Sequence, residues 1–497
     1  MNFKMIKYTI GLILYFEAAF LAVPFVTSLC YVKDEWRSML AILGTMLICI
    51  GIGVFLSHKK PTNTFIYTKD GFVIVALAWV VLSLFGALPF VFSGAIPNYI
   101  DALFETASGF TTTGASIVPS VSALPKSMLI WRSFTNWIGG MGVLVFVMAI
   151  MPLGGAANMH LMRAESPGPA VSKLVPRVKK TALILYAIYI ALTFVQFVLL
   201  LFGDMTPFEA INAAFSTAGT GGFGLRDDSF LSFGVYSQII VTVFMLIFSV
   251  NFNAYYLILS RKFRDAINSE VKVFLVITGA AIVIITASLL VSEVEGADNF
   301  GDALRHAAFT VASIISTSGF STLDYNAWPD IAKSTLFIIT FIGACAGSTG
   351  GGLKVSRLMI LFKGMIREVG NLVHPKQVKR ITVDKKAVSH EVIRSVNAYL
   401  VTYVIICAVS FFILSFDSFE CTVGTKMMTN LSAVAASINN TGPGFDMVGP
   451  TSNYSFYNPI SKLVLIFDML AGRLELLPML LLFSPTVWRE TIKKEAE

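Results

Sequence analysis

Four short segments share a residue pattern suited to holding a dehydrated cation with backbone oxygen. They are Thr112-Thr113-Gly114-Ala115-Ser116, Thr220-Gly221-Gly222-Phe223-Gly224, Thr317-Ser318-Gly319-Phe320-Ser321 and Asn440-Thr441-Gly442-Pro443-Gly444. Their common core is polar-x-Gly-x-small. A glycine reaches positive φ without steric cost, which lets neighbouring carbonyls point the same way. Rings of such carbonyls can replace the hydration shell of a cation. No Asp or Glu lies in the four cores, so coordination there falls to backbone dipoles. One Gly/Thr-rich segment alone reads as a turn; four copies at matched positions do not.

The elements that must position these segments precede them. Each follows a half-length apolar stretch: Asp101 to Ser116, Phe208 to Gly224, Asp302 to Ser321 and Asn430 to Phe445. The apolar part is roughly ten residues, too short to span a bilayer but long enough for a re-entrant helix. Asp101, Glu209 and Asp302 stand at the starts, where a carboxylate caps free N–H groups and complements the helix dipole. The opposite, negative ends would then aim at the Gly-centred segments. The central glycines are spaced 108, 97 and 123 residues apart. That is an internal repeat of about 100 residues, and a repeat changes the whole reading of the fold.

Composition sets the medium. The 497 residues are 55% hydrophobic and 13% charged, against about 25% charged in a soluble domain; the mean hydropathy is +0.74. A soluble globular protein, a disordered chain and a disulfide scaffold are excluded. Ten spans are expected, near 6–30, 38–57, 71–94, 128–152, 181–203, 234–260, 273–292, 332–362, 396–416 and 459–484. Of the 37 Lys and Arg, 27 fall on one side of that topology. The positive-inside rule then puts both termini in the cytoplasm, so the excess charge gives orientation, not a nucleic-acid partner. The fold class expected is an all-α polytopic membrane protein. Four pseudo-repeats of span, pore helix, filter loop and span surround one central pore, plus an N-terminal pair of spans. The divisions are 1–69 for that pair, then 70–160, 161–264, 265–372 and 373–497 for the repeats.

Two further features lie inside the bilayer. The eighth span, Ser334 to Lys363, would cover roughly 45 Å as a straight helix, against a ~30 Å hydrocarbon core. Its centre holds Gly343, Gly347, Gly350, Gly351 and Gly352, with Ser348 and Thr349 between them. Such glycine density does not sustain a helix, so a broken helix with an intramembrane loop beneath the third segment is expected. A close-packing glycine face is the other reading. It is not a phosphate loop, because Leu353 separates Gly352 from Lys354. Arg473 stands near the middle of the last span, where a charge costs about 2.5–3.5 kcal/mol even on the lenient insertion scale. It reads as an electrostatic barrier below the filter, in reach of the 343–352 loop. An internal ion pair is the alternative: Asp468 is a candidate partner, and Glu475, two positions away, does not share its face.

With these residues in view, the chain resembles the membrane subunit of the Trk/Ktr/HKT potassium-transporter superfamily, in its bacterial TrkH/TrkG branch. Besides the four loops, the matching stretches are Ala164 to Pro169, Ala344 to Arg357, Leu372 to Pro375 and Ala471 to Leu477. The N-terminal pair of spans also suits that branch. The resemblance implies a single-chain pseudo-tetramer in the bacterial cytoplasmic (inner) membrane. It assigns the potassium filter to Thr112, Thr113, Gly114, Thr220, Gly221, Gly222, Thr317, Ser318, Gly319, Asn440, Thr441 and Gly442. It makes 343–352 a gate loop, and it implies a homodimer with a cytosolic nucleotide-binding regulatory ring of the RCK, TrkA-like type. The basic stretch Lys376–Arg394 is the natural docking surface, or an ordinary positive-inside loop. In the superfamily, serine at the first filter glycine goes with sodium permeation. Gly114 is retained, so potassium and rubidium are expected over sodium. Ala115, Phe320 and Pro443 make four unequal walls and weaken that discrimination.

The function expected is potassium uptake, with K+ as the transported ion and no covalent cofactor. The alternative is an ion-coupled secondary transporter, a Na+ or H+ symporter on broken helices. Four loops of one orientation count against it, since transporter repeats are usually two and often inverted. An enzyme is not expected, because no paired His/Asp set lies in the spans.

Overall fold

Long apolar runs fold as helices in lipid because a helix satisfies its own backbone groups. The computed structural model describes residues 1–63, 66–142, 178–375, 380–384 and 386–485. Among these, six helices are long and apolar enough to cross a membrane, and one further pair would form a span bent by 92°. The chain is a multi-pass membrane protein.

The first span is α1 (Phe3–Phe20) with α2 (Ala22–Cys30), and the second is α3 (Val32–Ser57). Gly11 and Gly53 let α1 and α3 touch: a Cβ on either would lie 3.0–3.1 Å from the other's carbonyl oxygen. The second span begins earlier than its apolar run, through a non-helical Glu35. That Glu35 accepts hydrogen bonds from Lys126 N (2.6 Å) and Ser127 N (3.0 Å). It thereby caps a helix whose own N-cap, Pro125, offers no side-chain bond.

Four similar units follow this pair. The first holds α4 (Thr68–Gly86), α5 (Leu88–Ser93), the half-length α6 (Tyr99–Phe110) and α7 (Lys126–Gly140). The second holds α8 (Val178–Leu201), half-length α9 (Pro207–Gly219), α10 (Val235–Ser249) and α11 (Phe252–Leu259). The third holds α12 (Ser269–Val291), half-length α13 (Phe300–Ser316), α14 (Asp330–Ile342) and α15 (Val355–Val373). The fourth holds α16 (His390–Leu414), half-length α17 (Val423–Ile438), α18 (Pro459–Arg473) and α19 (Leu477–Leu481). A two-residue strand pair, Thr382–Val383 with Lys386–Ala387, precedes α16.

Two expectations need correction. The span at 234–260 is not continuous: the 92° bend falls at Val250 and Asn251. Polar Ser249, Asn251 and Asn253 interrupt the apolar run there. The last span also breaks, after Arg473, with Glu475 and Leu476 at φ 66° and 52°. The half-length helices run 12, 13, 17 and 16 residues, polar first turns included. The second half of the fourth span, the stretch Ala164 to Pro169, Arg163, Lys173, Arg177, Lys376, Lys379, Lys385, Arg489, Lys493 and Lys494 lie outside the described residues.

The four half-length helices start by different means. At α9, Thr206 and Glu209 form a capping box, with Pro207 in the first turn. At α6 the cap is Asn98, which accepts from Ile100 N at 2.9 Å. Asp101 is in the first turn but pairs with Lys462 (2.7 Å), and Asp302 pairs with Arg305 (2.9 Å). Both carboxylates still complement the positive helix end, but only Glu209 caps as expected.

Candidate functional site

All four half-length helices end identically. Thr112, Thr220, Thr317 and Asn440 take left-handed backbone at φ 57°, 54°, 62° and 53°. The next residue donates back to the helix: Thr113 N to Ser108 O, Gly221 N to Ser216 O, Ser318 N to Ser313 O and Thr441 N to Ala436 O, each at 2.8 Å. With the bonds from Thr112, Thr220, Thr317 and Asn440 themselves to the carbonyl three residues back (3.0–3.2 Å), these are Schellman ends. Left-handed backbone costs a non-glycine residue about 1–3 kcal/mol, and threonine is among the less tolerant types. The strain recurs four times, so the helix ends are built to it.

Two residues on, Gly114, Gly222, Gly319 and Gly442 are again left-handed, at φ 81°, 70°, 82° and 93°. The residues between them, Thr113, Gly221, Ser318 and Thr441, have negative φ. Alternating handedness turns successive carbonyls toward one side.

The glycines also close a ring. A Cβ on Gly114 would sit 2.2 Å from Gly221 O, one on Gly222 1.7 Å from Ser318 O, one on Gly319 2.4 Å from Thr441 O, and one on Gly442 2.5 Å from Thr113 O. Each loop leans on the next, and the fourth returns to the first. No side chain fits between them. The twelve residues singled out from sequence are therefore brought together around one axis.

A second ring of hydrogen bonds surrounds the first. Ser116 O accepts from Tyr454 N (2.9 Å), Gly224 O from Arg132 Nη1 (3.4 Å), Ser321 O from Phe230 N (2.9 Å) and Gly444 O from the Tyr325 hydroxyl (2.9 Å). Each donor belongs to the neighbouring unit, again in cyclic order. Behind the first loop, fully buried Glu105 pairs with Arg132 (2.6 Å) and accepts from Ile117 N (2.9 Å) and the Ser116 hydroxyl. Behind the third, His306 shares a 2.8 Å hydrogen bond with Thr322. Glu105, Arg132, Tyr325 and Tyr454 were not singled out from sequence. An acid inside an apolar stretch, with a lone Arg in the following span, was the available signal for the first two.

The Gly-rich loop joins α14 to α15 directly below. Gly351 N donates to Thr317 Oγ1 (2.6 Å), and Gly352 N to Asn439 O (3.0 Å). The loop thus touches the ends of the third and fourth half-length helices, where the third alone was expected. Gly350 and Gly351 pass so close that a Cβ would meet Ser316 O at 2.7 Å and Asn439 O at 2.2 Å. Gly343, Gly347 and Gly352 have φ 69°, 77° and 79°. Gly347 is the exposed tip, with Ser348 half-buried and Thr349 buried beside it.

The break between α10 and α11 cradles this loop. Cys345 N donates to Ser249 O (3.1 Å), the Thr349 hydroxyl to Phe248 O (3.1 Å), and Phe252 N to Gly347 O (3.0 Å). The helix ends freed by the break find their partners in the loop. Glu270 on α12 accepts from Ala346 N (2.7 Å) and Ser356 N (3.2 Å), one contact in the loop and one just past it. Lys354 donates to Gly350 O.

Arg473 is not mid-helix but the last residue of α18. Its guanidinium donates to Thr349 O (2.7 Å), Gly140 O (2.9 Å) and Gly139 O. It joins the Gly-rich loop to the end of α7. Of the two carboxylates considered for it, Glu475 pairs with Arg357, and Asp468 accepts from Ser410 (2.8 Å).

Comparison with known proteins places these features. The family model TrkH, described as cation transport protein, matches residues 38–490. The Trk system potassium uptake protein TrkH of Escherichia coli K12 is 36% identical, covering 99% of this chain and all of the relative. TrkH of Halomonas elongata is 34% identical over the same shares. TrkG of Escherichia coli K12 is 33% identical, covering 98% of this chain and 99% of the relative. The crystal structure of the potassium transporter TrkH from Vibrio parahaemolyticus superposes with a TM-score of 0.85 at 32% identity, over 98% of this chain and 100% of that one.

Proposed function

This chain belongs to the TrkH family of cation transport proteins, a family of transporters and not of enzymes, and from that premise we propose that it takes up potassium across the bacterial cytoplasmic membrane. The observation that carries this reading is the closed ring in which Gly114, Gly222, Gly319 and Gly442 each lean on the next loop's carbonyl. A ring of backbone carbonyls replaces the hydration shell of a cation without any carboxylate. The four helix ends behind it add negative partial charge. Potassium is the transported ion, and no covalent cofactor takes part.

The loop at 343–352 acts as the gate, because it lies under the ring and contacts its third and fourth walls. Arg473 adds positive charge beside it and opposes cation passage. Opening requires the loop to leave Thr317, Asn439 and Arg473. The same reading divides the chain into an N-terminal pair (1–69) and four pore repeats (70–160, 161–264, 265–372, 373–497). Both termini are cytoplasmic. The chain works as a homodimer with a cytosolic nucleotide-binding regulatory ring, of the kind named TrkA-like, docked near the basic stretch before α16. Ion-coupled symport is the competing reading. The four half-length helices all converge on one ring, which suits a single pore better than two inverted halves.

Rubidium uptake into proteoliposomes, with sodium as competitor, tests this. Rubidium flux blocked by potassium and little affected by equal sodium is expected. Equal sodium and rubidium flux would sink the reading.

A further inference from the structure

We propose that Tyr454 sets how well the filter discriminates, by engaging one of the four glycine carbonyls that the ion would meet. The inference rests on the filter reading above and adds a residue to it. Among the described residues, none donates to the carbonyls of Gly114, Gly222 or Gly319, whereas the Tyr454 hydroxyl donates to Gly442 O at 2.7 Å. The glycine level of the ring is therefore three-sided plus one.

The hydroxyl is held there. Tyr454 is only 2% exposed. Its backbone N is fastened to Ser116 O in the first loop (2.9 Å), and its ring packs on Phe104 with centroids 5.5 Å apart. The phenol is thus clamped between the fourth and first walls. Pro443 follows Gly442 and wedges against the third wall, its Cδ 2.6 Å from where a Gly319 Cβ would lie. The fourth wall differs from the other three at one carbonyl, and the difference has a donor.

Preference for a larger over a smaller cation depends on the number and field strength of the carbonyl dipoles around it. A carbonyl that accepts from a phenol offers less of its lone-pair density to an ion, and its direction is set by the donor. An ion at this level is expected to sit off the axis, toward Gly114, Gly222 and Gly319. Removing the donor restores four equal carbonyls and sharpens discrimination against sodium.

The test is the sodium-to-rubidium flux ratio of wild type, Tyr454→Phe and Tyr457→Phe in proteoliposomes. Phenylalanine keeps each ring and deletes only the hydroxyl. Tyr457 is equally buried, but its hydroxyl donates to an α17 side chain, Asn430 Oδ1 (2.9 Å), and not to a filter carbonyl. The ratio is expected to fall about two- to tenfold in Tyr454→Phe, the range one hydrogen bond spans, and to hold at the wild-type value in Tyr457→Phe. An unchanged or higher ratio in Tyr454→Phe, or the same shift in both variants, overturns the inference while wild-type discrimination leaves the filter reading standing. A wild type that does not discriminate brings down the filter reading itself. Should Tyr454→Phe fail to assemble, rubidium anomalous density in wild-type crystals decides: displaced toward the first three loops supports the inference, centred on the axis overturns it.

Discussion

Arg473 carries its charge at a point where three parts of the chain meet, and that sets what its loss should do. A unit charge about 10 Å from a passing cation, at an effective dielectric of ~20, opposes it by roughly 1.7 kcal/mol, a factor of about twenty in rate at most. Arg473→Ala should therefore raise rubidium flux by up to about twentyfold; unchanged flux in folded protein would count against the barrier. Gly114→Ser makes a second test. Its Cβ would meet Gly221 O at 2.2 Å with the backbone at φ 81°, so the first and second walls must part. Sodium permeability should rise, and retained discrimination would contradict the ring contact. The backbone geometry at Gly114, Gly222, Gly319 and Gly442 was legible in the sequence, because a positive φ and a close approach both call for a glycine. The Glu105–Arg132 pair was not: its partners are 27 residues apart, and no local rule joins them. Arg473 was legible as a misplaced charge, but its helix end was not, because Glu475 and Leu476 are types that ordinarily continue a helix.

At the scale of elements, short apolar stretches ending in Gly were read correctly as half-length helices, since length alone bars them from spanning. The kink between α10 and α11 was missed. Its cause is remote: the carbonyls of Phe248 and Ser249 are satisfied by a loop some hundred residues later, which hydropathy does not record. Outer connections carry their own chemistry. Asp227, between the second loop and α10, accepts from Ser120 (2.9 Å), Val121 N (2.5 Å) and Ser122 (3.1 Å), tying the second unit to the first. Partial burial opposes its ionisation, but these hydrogen bonds outweigh it and hold its pKa below the usual carboxylate range. A depressed carboxyl contributes stability that is present above its unfolded value, about 3.9, and is lost as pH falls through the lower folded value. Thermal unfolding of wild type and Asp227→Asn should differ by a constant amount from pH 8 to 5, and the difference should close only in stronger acid. A gap that closes already by pH 5 would contradict the clasp.

At the scale of the molecule, the repeat of about 100 residues was the feature that made the architecture legible. Four copies of a helix that cannot cross, each ending in the same strained turn, have few arrangements that satisfy their backbones. One ring buries all four ends against each other. The Gly-rich loop at 343–352 follows from the same logic, because a chain that breaks in the membrane must find partners for its exposed peptide groups. Here it finds them in α10, α11 and the ends of α13 and α17. What the sequence did not carry is the asymmetry of the ring. The donors around it come from Arg132, Phe230, Tyr325 and Tyr454, residues with no shared motif, each placed by its own unit's packing.

The central claim is one potassium-selective pathway through one ring. Current through the purified protein in a planar bilayer, with potassium on one side and sodium on the other, tests it most directly, measured with and without the cytosolic ring. Discrete unitary currents that reverse near the potassium equilibrium potential are predicted. Currents that reverse near zero, or uptake that proceeds only as gradient-coupled flux without unitary events, would contradict it.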